Sequence, residues 1–112
     1  MANNKILPLK RSSDFLNASK NGYRLKLTSW VTLHVDQSSD GNSYFGVTAS
    51  RKVGSAVVRN KLKRWVRYCA HTEVWPKKLL ANNVVFVFRA QSDKDFFSKV
   101  RYCEFLEKFR NI

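Results

Sequence analysis

Acidic residues are scarce in this chain: eight Asp and Glu stand against 21 Lys and Arg, giving a formal net charge of +13 over 112 residues. A self-sufficient two-metal nuclease needs clustered carboxylates, and the acids here are scattered. Asp36 and Asp40 share a polar turn, where Asp commonly bonds the backbone. Asp93 and Asp95 suit a helix N-terminus. His34 and His71 are single histidines with no spaced acid or nucleophile. No P-loop, nucleophile elbow or metalloprotease helix is present. No catalytic residue and no metal ligand is therefore assigned to the chain. Its two cysteines, Cys69 and Cys103, form no C-x-x-C pair. They read as buried, reduced thiols, as in a cytoplasmic protein. No apolar run approaches the roughly 20 residues of a membrane span, so no membrane partner is expected. Met1–Pro8 lacks the apolar centre of a secretory signal.

What is present is a foldable body. Hydrophobic residues make up 44% of the chain and aromatics 13%, too much for a disordered basic tail. The length fits one domain, 1–112, in which 1–11 form a basic extended arm carrying Lys5, Lys10 and Arg11. Ser12 or Ser13 is placed to cap a short helix bearing Phe15, Leu16 and Ala18, and Gly22 to end it. The core is one reading of Phe15 and base stacking is the other.

Leu25–Val35 alternates as a strand, with a break at Thr28-Ser29 as a variant. Leu25, Leu27, Val31, Leu33 and Val35 share one face; Trp30, Thr32 and His34 share the other. A turn at Asp36–Asn42 leads to a strand over Tyr44–Arg51, and the two are expected to pair as a hairpin. Tyr44, Gly46, Thr48 and Ser50 give that second strand one small, polar face suited to a ligand. Val84–Phe88 is apolar on both faces, the pattern of a buried, often parallel strand. Ser92-x-x-Asp95 resembles a capping box opening a last helix that carries Phe96, Val100, Phe105 and Phe109. The expected architecture is α+β: a two-layer α/β sandwich with about four strands and three helices.

The most informative stretch is Arg51–Arg67, which holds seven basic residues and no acid. From Ala56 its apolar residues recur at helical spacing. Val58, Leu62, Trp65, Val66 and Cys69 fall on one stripe, and Arg59, Asn60, Lys61, Lys63, Arg64 and Arg67 spread over the remaining arc. Arg59/Lys63 and Lys63/Arg67 are like-charge i,i+4 pairs, which oppose helix formation by a few tenths of a kcal/mol each. An arc of one sign calls for a polyanion, and in a folded basic domain that means nucleic acid first. Asn60 supplies no charge; a bond to RNA and a bond to its own backbone both remain open.

Lys52-Val53-Gly54-x-Ala56-Val57-x-Arg59-Asn60-Lys61-x-Lys63-Arg64-x-x-Arg67 resembles the Arg-Asn-Arg signature of the bacterial ribonuclease P protein subunit. Leu9-Lys10-Arg11, Asp14-Phe15, Gly22 and Val84–Arg89 also fall where that family has their counterparts. The resemblance spans roughly residues 5–110. It implies a mixed sheet with a left-handed βαβ crossover. It implies a partnership with a catalytic RNA and precursor tRNA, with Mg²⁺ held mainly by the RNA and no obligate protein partner. The RNA would remove the 5′ leader, and the protein would bind it. Arg51, Lys52, Arg59, Asn60, Lys61, Lys63, Arg64 and Arg67 are the implied RNA contacts. Phe15, Leu33, Thr48 and Ser50 are the implied lining of a leader cleft, with Leu33 outward and Trp30 turned to the core. Lys61 departs from the signature's second arginine, keeping the charge without the guanidinium fork. Ser19 and Leu33 stand where many members carry aromatics. A structured-RNA protein of ribosomal type and a basic DNA-binding domain are the competing classes, and the lack of a helix-turn-helix pattern disfavours the second.

Overall fold

The computed structural model describes residues 5–112. In chain order the elements are β1 (Ile6–Pro8), α1 (Ser12–Asn21), β2 (Tyr23–Lys26), β3 (Val31–Gln37), β4 (Ser43–Ala49), α2 (Ala56–Thr72), a 3₁₀ turn (Lys77–Leu79), β5 (Asn82–Phe88), α3 (Phe96–Lys99) and α4 (Tyr102–Arg110). The strands form one five-stranded sheet in the order β1-β4-β5-β3-β2. β5 runs parallel to β4 and antiparallel to β3, so the sheet is mixed. The α+β sandwich is as expected, with one strand more than the four anticipated.

That fifth strand comes from the basic arm. Ile6–Pro8 pairs in parallel with Ser43–Phe45, and Ile6 is buried. Pro8 lacks an N–H, which an edge strand tolerates. The run Leu25–Val35 breaks at Thr28-Ser29, where the Thr28 hydroxyl accepts from the Trp30 N–H at 2.9 Å. The two halves, β2 and β3, then pair with each other.

The β3–β4 hairpin does not form. β5 is inserted between these strands, pairing Leu33 with Phe86 on one side and Val47 with Phe86 on the other. A strand apolar on both faces gains most at the centre of a sheet, and that gain outweighs pairing between chain neighbours. The last helical region also differs from its expected form. Ser92–Asp95 leads only into the single turn of α3, and the chain restarts at α4, where a Glu104 carboxylate oxygen accepts from the Arg101 N–H at 2.8 Å.

Alternation divides the sheet into two faces. One carries Leu25, Leu33, Phe86 and Val47 in a row, and it is covered by α2 and α4. Phe86 meets Phe105, Phe109 and Trp75 there, with Phe105 lying against Trp65 of α2. The opposite face carries Arg24, His34, Val85 and Gly46 in a row, and α1 lies across it over β3 and β5. Two glycines allow that approach. A Cβ at Gly22 would fall 2.2 Å from the Val35 carbonyl oxygen, and one at Gly46 would fall 2.5 Å from the Phe15 ring.

Leu33 is fully buried on the α2/α4 face. The outward orientation implied for it is therefore corrected, and simple alternation was the sounder guide. Trp30 is buried as well, packed with Phe88, Phe96 and Phe97. It precedes β3 in the bend, so strand alternation does not constrain it. Cys69 is buried, and that burial pushes its thiol up to about 12. Cys103 is exposed on α4, contrary to expectation.

Candidate nucleic-acid interface

α2 starts where Ser55 accepts from the Val58 N–H through its hydroxyl, at 3.4 Å. Val53, buried below the preceding turn, ties that turn to the core. Leu62, Trp65, Val66 and Cys69 are buried along the helix. The opposite side presents Asn60, Lys63, Arg64 and Arg67 to solvent, with Arg51 and Lys52 exposed at the turn before it. Among the described residues the ion pairs are Lys99–Asp93 and Arg110–Glu73, and neither uses a cation of Arg51–Arg67. The charges are thus uncompensated from within the fold.

Two of the signature residues behave differently. Arg59 is half-buried, and its Nε has no hydrogen-bond partner among the described residues. Lys61 points away from the open arc. Its Nζ donates to the Phe97 carbonyl at 2.7 Å and lies 5.2 Å from the Trp65 ring centroid. The ammonium therefore clips α2 to α3.

Two hollows flank the cationic arc. A groove of about 440 Å³ brings Phe15, Gly46 and Val47 together with Lys63, Arg67 and His71. It lies where β1 has ended and the outer edge of β4 is no longer paired with it. A wider hollow of about 700 Å³ is lined by Thr48, Ser50, Lys52, Val87, Arg89 and Gln91, among others. The fold thus joins Phe15 to the helix cations, and Thr48 and Ser50 to Lys52. Leu33 lines neither.

Arg89, Gln91 and His71 were missed at the sequence level. Arg89 carried a usable signal. It follows β5 by one residue and shares the alternation of Val87, so it falls on the face of Thr48 and Thr32. Its Nε donates to the Thr32 hydroxyl at 3.4 Å. His71 lies one turn beyond Arg67 on the same side of α2. His34, beneath α1, is held below its usual pKa by burial first, then by Arg24 and Arg89. Among the described residues no three of His, Cys, Asp and Glu converge to hold a metal ion. No helix here is long and apolar enough to cross a membrane.

A small α+β sandwich with an uncompensated cationic helix beside a partly open sheet face defines the class: a compact, strongly basic α+β domain. The chain belongs to the ribonuclease P protein family, whose family model matches residues 4–111. It is similar to the ribonuclease P protein component of Clostridioides difficile, 25% identical over 87% of this chain and 84% of that protein. The component from Bacillus velezensis is 34% identical over a shorter match, covering 58% of this chain and 56% of the relative. Among solved structures, the RNase P protein from Thermotoga maritima superposes with a TM-score of 0.75 at 29% identity, covering 93% of this chain and 92% of that one.

Proposed function

We propose that this chain is the protein subunit of ribonuclease P, binding a catalytic RNA and the single-stranded 5′ leader of precursor tRNA. The endonucleolytic step that frees the tRNA 5′ end is then the work of the RNA, with Mg²⁺ held mainly by that RNA. The observation that carries the reading is the uncompensated row of Lys63, Arg64 and Arg67, of which Lys63 and Arg67 line the Phe15 groove, in a chain matching the family over residues 4–111.

Each group has a physical task. Arg64 and Arg67 offer forked donors to phosphate oxygens, and Lys63 a point charge. Neutralised phosphates release counterions, so affinity falls by about 0.7 to 0.9 log units per contact for each log unit of salt. Phe15 brings a half-buried aromatic ring to the groove, and a base stacked on such a ring is worth about 1–3 kcal/mol. Thr48, Ser50, Lys52 and Arg89 provide polar and cationic contacts further along the leader's path. Because mature tRNA lacks the leader, these contacts favour precursor over product. The RNA-bound protein works in the cytoplasm and requires no other protein.

Reconstitution tests this. Purified protein alone leaves precursor tRNA intact, and adding it to the catalytic RNA gives leader removal at Mg²⁺ concentrations where the RNA alone is slow. Absence of stimulation would overturn the reading. Co-purification with ribosomal RNA in place of one catalytic RNA would favour a structured-RNA protein without a processing role.

A further inference from the structure

We infer that Tyr68, on the flank of α2 turned toward α4, is a stacking platform for one unpaired base of the catalytic RNA, with Arg64 beside it to hold that nucleotide's phosphate. The inference rests on the reading of the chain as a subunit bound to such an RNA. It adds a contact on the side of the helix away from the Phe15 groove.

Five large hydrophobic side chains are exposed among the described residues, and two of them, Val57 and Tyr68, lie on α2. At about 100° per residue, counted from Arg59, Lys63 falls at roughly 40°, Arg67 at 80°, Arg64 at 140°, Val57 at 160° and Tyr68 at 180°. The buried stripe of the helix occupies roughly 240° to 340°. Val57 and Tyr68 therefore stand outside that stripe, where a solvated helix carries polar residues. Val57 is 78% exposed and Tyr68 58%. No acid occurs between Ala56 and Thr72 to pair with the neighbouring cations. Tyr68 lines neither the Phe15 groove nor the hollow beside Arg89.

The Tyr68 ring is braced on one flank. It makes a T-shaped contact with Tyr102 of α4, with centroids 5.6 Å apart and planes at 71°. Tyr102 in turn lies against Trp65 at 5.9 Å and Phe105 at 6.1 Å, and both of those are buried. The phenol is thereby tied to the core while more than half of its surface stays open. A ring fixed before binding loses little freedom when a base settles on it, and stacking accepts any of the four bases. Arg64 is exposed one turn earlier, about 6 Å back along the helix axis. It takes part in neither ion pair of the described residues, and its forked donors suit a phosphate oxygen. An uncovered aromatic ring beside a cation is the combination that binds single-stranded nucleic acid. The same charge opposes a second copy of this chain, which carries +13 itself.

The test is the affinity of the full-length protein for end-labelled catalytic RNA in Mg²⁺ buffer over a series of salt concentrations, with chemical probing of the RNA bases alongside. Tyr68→Ala and Tyr68→Leu should each weaken binding about ten-fold, the scale of one lost base stack, and leave the salt slope unchanged. Leucine still packs on Tyr102, so equal losses separate a missing ring face from missing packing. Tyr68→Phe should bind as the unaltered protein does. One unpaired base of the RNA should be shielded by the unaltered and Tyr68→Phe proteins and reactive with the other two. Unchanged affinity in the Ala and Leu variants, loss of affinity in the Phe variant, or a loss with no change in base shielding overturns the platform. A dimer of the free protein that Tyr68→Ala dissolves, seen in sedimentation, would give this face to a second copy and overturn it too. Failure of the parent reading shows separately, as absence of any stimulation of precursor cleavage by the unaltered protein.

Discussion

On one face of the sheet, Phe86 meets Phe105 and Trp75 at ring-centroid distances of 5.9 Å and Phe109 at 6.2 Å. One residue away on the same strand, Val85 and Val87 look onto Gly46, His34, Thr32 and Thr48, under partial cover from α1. The first face is closed by hydrocarbon and aromatic rings. The second sets buried polar side chains, Thr32, His34 and Asn83, among its valines. Aromatic packing is thereby concentrated on one side of the sheet and polar side chains on the other. α2 shows the same division around its own axis, with Leu62 and Val66 inward and Lys63 and Arg67 outward.

Substitutions that separate stability from binding sharpen this contrast, and any that mix them break it. The largest effect belongs to Phe86→Ala, which removes the ring at the centre of the packed face. It should cost about 3–5 kcal/mol in urea unfolding, with the salt dependence of RNA binding unchanged under conditions where the variant stays folded. Next comes Lys61→Ala. Despite its place in a basic signature, this residue bonds to Phe97, so its loss should cost about 1–2 kcal/mol of stability and leave the salt slope as it was. A fall in slope without a fall in stability would return Lys61 to the RNA-facing set. Arg64→Ala should do the reverse, moving stability by no more than about 0.5 kcal/mol and lowering the slope by about one phosphate contact.

The smallest effect is a pH response of the open face. Burial, then Arg24 and Arg89, disfavour the protonated His34 ring, so its folded pKa lies below the ordinary value of 6.5. The unfolded chain therefore binds the proton first, and stability declines as pH falls below that value. His34→Gln should flatten this part of the profile in urea midpoints measured between about pH 5 and 8. A profile of the same steepness in the variant would assign the response to another group.

α2 was legible in the sequence because period and charge agree there: the apolar stripe from Leu62 to Cys69 and the cations opposite it are set by local spacing alone. β5 was legible as a buried strand for a similar reason. Its place in the sheet was not, because inserting it between β3 and β4 depends on contacts more than thirty residues apart, which periodicity does not encode. Ile6–Pro8 was hidden by brevity, since three residues beside a proline carry little pattern. Leu33 teaches the opposite lesson. Its alternation with Val31 and Val35 pointed inward, and an implied family orientation displaced a correct physical reading. Lys61 shows where charge patterning stops, because a cation at the border of an arc bonds whatever the tertiary fold brings to it, here the Phe97 carbonyl.

The position of β5 has a consequence for synthesis. β4 and β3 lie on either side of a strand that leaves the ribosome after both of them and after α2. Until Phe88 has emerged, the β1–β4 pair and the β2–β3 pair have no shared partner, and the sheet cannot close. Long-range pairing of this kind slows folding. A nascent chain halted before β5 thus displays a row of positive charge with no folded body behind it. Completion of translation, and not the appearance of the basic helix, is the event that turns an exposed cationic segment into one face of a folded domain.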